Sequence, residues 1–120
     1  MTIDVKNGIA IIRSDEVLIT DAQSALDLLA TVRYEVDCDS IALPKSAVEE
    51  NFFILSTGLA GEILQKFVNF RVKLAIIGDY SKYTSKPLRD FICESNNGSH
   101  VFFVTTEDDA VTKLTGYQRD

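Results

Sequence analysis

Val72-Lys73-Leu74-Ala75-Ile76-Ile77-Gly78 decides the fold. Four consecutive apolar residues, Leu74 to Ile77, run into a glycine, and neither face of the run is polar. Central strands of parallel sheets read this way because both their faces are covered, whereas a half-solvated antiparallel strand alternates. Val101-Phe102-Phe103-Val104 has the same character downstream. Upstream, Ser40 to Leu43 forms a short buried strand closed by Pro44, which cannot donate to a ladder.

The stretches between these runs carry helical spacing. From about Gly58 to Phe70, the residues Leu59, Ile63, Leu64, Phe67 and Phe70 share one face. Ser85 to Asn96 reads as the next helix, with Pro87 in its first turn and Gly98 just beyond its end. Glu107 to Thr115 is the last, capped by Thr106 and closed by Gly116. Ahead of the first buried strand, Ala22, Ala25, Leu26, Leu29 and Val32 repeat at helical spacing. Thr20 and Gln23 are placed there as the two ends of a capping box. At the amino terminus, Thr2–Lys6 and Ile9–Arg13 flank Asn7-Gly8, a pair suited to the two positive φ angles of a type I′ hairpin turn. Val17 to Ile19 adds a short extended piece. The order is β-β-α-β-α-β-α-β-α. Such alternation predicts right-handed crossovers and one α/β domain over residues 1–120, a mostly parallel sheet with an N-terminal hairpin and four helices in two or three layers.

Composition narrows the function. The 120 residues are 46% hydrophobic and 25% charged, an ordinary globular mixture. No apolar run approaches the roughly 20 residues that cross a bilayer, and Met1 to Lys6 lacks the basic and apolar regions of a secretory signal. A cytoplasmic protein without a membrane role is therefore expected. Eighteen acidic residues against twelve basic ones give a net charge of −6, which disfavours phosphate backbones and hence nucleic acid. Cys38 and Cys93 have no metal-ligand spacing and are expected to be reduced thiols. His100 is the only histidine, so histidine-rich metal sites and Ser-His-Asp arrangements are not available. Neither a metal nor a cofactor is expected, and no residue is assigned a catalytic role.

Sites in open α/β sheets form where strands end and helices begin. Here that places the loops 44–58, 78–84 and 105–106 on one rim. Lys45, Asp79 and Ser81 are the candidate ligand or partner contacts in them, together with Gly58 at a helix start. Ser56 and Thr57, just ahead of Gly58, either cap that helix or accept a phosphate that its N-terminal N–H groups would stabilise. Asp79 with Asp15 reads as turn-forming rather than as an acid/base pair, and Glu49-Glu50 as a solvated helix face. Gly58-Leu59-Ala60-Gly61 lacks the Lys-Ser/Thr ending of a phosphate loop. Phe52-Phe53-Ile54-Leu55 has two readings. The run tucks under the sheet edge as core, or Phe52 and Phe53 form an exposed lip for a partner.

Two resemblances join these readings. The segments 22–34, 58–67 and 85–92, with Phe102-Phe103-Val104, closely resemble a bacterial family known as domain of unknown function 4180, over nearly the whole chain. That resemblance implies no established activity. More distantly, the element order and Ser56-Thr57-Gly58-Leu59 resemble the STAS domain of anti-sigma-factor antagonists and sulfate-transporter tails. The pattern in those proteins is Asp-Ser-Ser/Thr-Gly-Leu-Gly, and a partner kinase phosphorylates its first Ser or Thr. The resemblance implies Ser56 as phosphoacceptor and Thr57 as its neighbour. Leu55 stands where that family has Asp, and Ala60 separates Leu59 from Gly61.

The expected function is a non-enzymatic regulatory or protein-interaction module. Its partner would be a kinase, a regulator or a second copy of the chain. The alternative is a small-molecule domain that binds an anion or nucleotide at the C-terminal strand edge.

Overall fold

A computed structural model describes residues 1–116. Its strands are β1 (Thr2–Lys6), β2 (Ile9–Arg13), β3 (Ser40–Pro44), β4 (Lys73–Ile77) and β5 (Val101–Val104). Its helices are α1 (Ala22–Val36), α2 (Leu59–Asn69), α3 (Lys86–Asn96) and α4 (Glu107–Leu114). The strands lie in chain order, β1-β2-β3-β4-β5. β1 and β2 form the antiparallel hairpin, and every later pairing is parallel. Asn7 and Gly8 both have positive φ, 54° and 79°, as the tight turn demands.

Alternation along the strands sorts the core into two faces. Ala10, Ile12, Ile41, Leu43, Leu74, Ile76, Val101 and Phe103 point to one face, where they meet α1, α2 and α3. Ile9, Ile11, Ala42, Ala75, Phe102 and Val104 point to the other, where Ala110 and Leu114 of α4 cover them. Strands that step one way through right-handed crossovers leave their helices on a single side, which accounts for the three-against-one division. The alanines at 42, 75 and 110 let α4 lie close to the sheet. The result is three layers.

Local rules set the helix ends, with one shift from the sequence reading. The cap of α1 is Asp21 rather than Thr20, and its box partner is Ser24 rather than Gln23. Ser24 N–H donates to Asp21 Oδ1 at 2.8 Å, and the Asp21 N–H donates back to Ser24 Oγ at 3.0 Å. Asp is an equally good cap, and the buried face of the helix is Ala25, Leu28, Leu29 and Val32, with Leu28 added and Leu26 only partly buried. Ser85 and Thr106 cap α3 and α4 with their hydroxyls. Phe70, expected on the buried face of α2, lies past its end and is 48% exposed.

β5 is an edge strand, and its open side is occupied. Asn96, the last residue of α3, donates from Nδ2 to the Phe103 carbonyl at 3.1 Å and accepts the Phe103 N–H on Oδ1 at 2.7 Å. One side-chain amide thus pairs as a neighbouring strand would. No helix among the described residues is long and apolar enough to cross a membrane.

Candidate functional site

The segment between β3 and α2 folds as three short 3-10 turns, Lys45–Ala47, Glu50–Phe53 and Leu55–Thr57. It is tied to the preceding chain by an isolated parallel bridge, Ile19 to Val48, which uses the extended piece expected near Val17. Phe52 and Phe53 anchor it. They are 1% and 4% exposed, so the exposed-lip reading is corrected and the core reading stands. The reason is geometric: their rings join the core on the helical face of the sheet, with Phe52 packed edge-on to Phe53 at 4.9 Å. Both reach Phe103 of β5, at 6.3 Å between ring centroids.

On this aromatic floor sits a charged cluster at the C-terminal ends of β3 and β4. Lys45 leaves the end of β3 with its side chain only 14% exposed. Its ammonium lies 5.0 Å from the Phe53 ring centroid, 4.9 Å from that of Tyr83 and 3.4 Å from Glu50 Oε1. Tyr83 stacks on Phe53 at 5.2 Å, and its hydroxyl donates to Glu50 Oε2 at 2.7 Å. Lys82 places a second ammonium 5.3 Å from the Tyr83 ring. The negative face of the ring quadrupole attracts both cations. Asp79 accepts the Ser81 N–H at 2.9 Å and closes a tight turn. Tyr80 donates its hydroxyl to the Ile76 carbonyl at 2.6 Å.

These contacts move the titration of each group in a readable direction. The Tyr83 hydroxyl bond, followed by the Lys45 and Lys82 ammonium groups, holds Glu50 below the usual carboxylate range against the opposing pull of burial. The bonds from Ser81, backbone first, hold Asp79 below its usual range. Burial first, then the Glu50 bond and charge, pushes Tyr83 up; burial and Tyr83 push Tyr80 up. A carboxylate whose folded value is lowered contributes stability above its unfolded value, about 4.3 for Glu, and loses it as pH falls through the folded value. Glu50→Gln should therefore lower stability at neutral pH and flatten its decline in acid, checked by urea titrations at pH 7 and pH 3. Equal pH slopes for the two proteins would deny Glu50 this role.

Gly78 makes the Lys45 position possible. A β-carbon added there would lie 2.6 Å from Lys45 Cβ and 3.0 Å from its Cδ. Gly78→Ala is expected to push the lysine stem off the strand end and cost about 1–3 kcal/mol. Denaturation, with tyrosine fluorescence reporting the Tyr83 environment, measures both effects. The hollow beside this contact holds about 430 Å³ and is lined by Lys45, Ser46, Gly78, Asp79 and Lys82, with Pro44 and Ile77. It is shallow because the helices that follow β3 and β4, α2 and α3, lie on the same side of the sheet, so no crevice opens between them at these strand ends.

The residues singled out in the sequence divide between two places. Lys45 and Asp79 line the hollow together. Ser81 instead edges a depression of about 600 Å³ between Tyr80, Tyr83 and the Ile92–Asn97 side of α3. Ser56, Thr57 and Gly58 form the turn into α2 and do not line the hollow. Gly58 has φ 77°, a left-handed angle that suits glycine. The Thr57 hydroxyl donates to the Asn51 and Ile54 carbonyls, at 3.0 and 2.8 Å, and accepts the Leu59 N–H at 3.2 Å. The N-cap of α2 is Gly58, which has no side chain to cap with, so neither hydroxyl is the cap; Thr57 takes up one helical N–H from outside the cap position, and Ser56 makes no such bond and is exposed. The sequence reading missed Tyr83 and set Glu50 aside as part of a solvated helix face. The signal available was Tyr80 and Tyr83, two tyrosines three residues apart in an otherwise polar loop.

Among known proteins, residues 5–114 match a family described as Domain of unknown function (DUF4180). No curated protein and no solved structure matches the chain.

Proposed function

The chain belongs to the DUF4180 family, and from that premise we propose that it is a non-enzymatic regulatory module that binds a protein partner through the rim at the ends of β3 and β4 and the Ser56 turn. One observation carries this reading: the charged groups on the rim are bound to one another, Lys45 to Glu50 at 3.4 Å and Tyr83 to Glu50 at 2.7 Å over the Phe53 ring, as a closed surface cluster. Glu50 and Asp79 are lowered and Tyr80 and Tyr83 raised, so these four do not exchange protons where a general acid or base must. Such groups serve to hold a surface in shape.

Ser56 is the point at which that surface is switched. Its neighbour Thr57 is bound on three sides and Ser56 is exposed, so a kinase can reach the serine without unfolding the turn. A phosphate there adds about −1.5 to −2 charges beside the start of α2. The likeness of Ser56-Thr57-Gly58-Leu59 to the STAS pattern supports the same assignment, with Leu55 in place of the preceding Asp. Capture from a lysate of the source organism compares wild type with Ser56→Glu and Lys45→Glu. The expected result is a protein retained by wild type and lost from both variants. Retention unchanged in both, or no retained protein, refutes the reading.

A second reading has its own observation. Lys45 and Lys82 flank the 430 Å³ hollow, and Gly78 is what admits the Lys45 stem beside it. The hollow then binds a small anion or nucleotide. A thermal-shift screen of such compounds tests it, since a ligand at one hundred times its Kd stabilises by about 2.7 kcal/mol. No shift with any of them refutes it.

A further inference from the structure

We propose that the depression between Tyr80, Tyr83 and α3 is a binding site for a small aromatic monocarboxylate, with Arg89 as the group that receives the carboxylate. It shares no lining residue with the hollow beside Lys45 and does not involve Ser56, so it goes beyond the readings above. The depression holds about 600 Å³, within the roughly 300–1,000 Å³ of small-molecule sites. Its walls are already fastened. Tyr80 is tied to the Ile76 carbonyl and packs edge-on to Phe103 at 5.7 Å, while Asn96 ties the last turn of α3 to the same Phe103. A site with fixed walls binds without first having to order them.

The chemistry of the walls names the ligand. Both tyrosine hydroxyls are turned elsewhere, to the Ile76 carbonyl and to Glu50, so the tyrosines offer the depression their rings. Half-buried Ile92 of α3 adds an aliphatic surface, and together these suit a flat apolar body. Beside them stands Arg89, whose side chain has no hydrogen-bond or ion-pair partner among the described residues. Asp90, next to it in sequence, is held by Lys86 at 2.8 Å. Arg13 and Arg33, in contrast, are both engaged by carboxylates. With eighteen acidic residues against twelve basic ones, no shortage of acids explains the unpaired guanidinium. Its fork of N–H donors matches a carboxylate. The Ser81 hydroxyl also lacks a partner among the described residues, and the Asn97 amide reaches only the Cys93 sulfur, at 4.0 Å. Two neutral groups are thus left to bind the same ligand. A single cation in a chain of net charge −6 favours one negative charge over the two of a phosphate ester.

Cys93 on the α3 wall gives the site its own reporter, since it is exposed and the other thiol, Cys38, is buried. Alkylation of Cys93 by iodoacetamide is followed on the full chain by mass spectrometry, each rate being compared with that of the same protein without probe. The probes are 2-naphthoate, the neutral 2-naphthylmethanol and the cationic 2-naphthylmethylamine. 2-Naphthoate should slow the reaction saturably, with half-protection at a concentration about tenfold or more below that of the alcohol or the amine. Arg89→Gln should raise the half-protecting concentration of 2-naphthoate about tenfold or more. Its denaturation midpoint should stay at the wild-type value, because the side chain holds nothing in the free protein. No protection by 2-naphthoate up to its solubility limit overturns the proposal. So does protection no better than the alcohol gives, or a half-protecting concentration that Arg89→Gln leaves unchanged.

Discussion

Alanine at Phe52 is expected to lower stability by about 3–5 kcal/mol, a large part of what a domain of this size possesses. The residue sits in a segment with no strand and no α-helix of its own, so aromatic packing has to do what a ladder does elsewhere. Its ring is 1% exposed and contacts Phe53 edge-on, and both rings lie within reach of Phe103 on the same face of the sheet. Removing it leaves a cavity beneath the 45–58 segment, which can collapse only by shifting Lys45 and Glu50. Urea denaturation at pH 7 measures the loss. Phe70→Ala serves as comparison: that ring is half exposed, and its truncation should cost about 1 kcal/mol or less. A Phe52→Ala midpoint close to wild type would mean that the ring is not part of the core.

Leucine at Asn96 should have the next largest effect, and for a different reason. Shape is nearly conserved, but the Phe103 N–H and carbonyl both lose their partner. Each backbone group left partly buried and unpaired costs about 1–3 kcal/mol. The substitution also opens the side of β5 to pairing with other molecules, so aggregation on heating should increase. Asn96→Asp retains the acceptor for the N–H and should recover about half of the loss. Denaturation midpoints of the three proteins, with light scattering on heating, separate the hydrogen-bond effect from the edge effect. Equal midpoints for wild type and leucine would show that water satisfies Phe103 equally well.

Features set by neighbours in sequence were readable from it. Asn7-Gly8 announced the hairpin, the apolar runs at 74–77 and 101–104 announced central strands, and Thr106 announced a cap. Two caps were displaced: Asp21 replaced Thr20, a residue of nearly equal capping preference, and Gly58 replaced the hydroxyls of Ser56 and Thr57 because the chain turns into α2 through a left-handed angle there. The site was legible only by address. Strand ends pointed to Lys45 and Asp79, but Glu50 and Tyr83 meet across 33 positions of chain, and no local pattern encodes that meeting. Phe52 and Phe53 show the same gap in reverse. An apolar pair in a polar loop is compatible with solvent or with core, and only its meeting with Phe103, 50 positions on from Phe53, decides.

The covering of the sheet's second face has a consequence for biosynthesis. All five strands are translated before α4, the sole described helix on that side. Ile9, Ile11 and Phe102 can be in place on the emerging chain while nothing yet shields them, and the ribosome must deliver residues 107–114 before they are dry. The interval between those two events is when a newly made molecule is most open to capture by a chaperone or by another chain like itself.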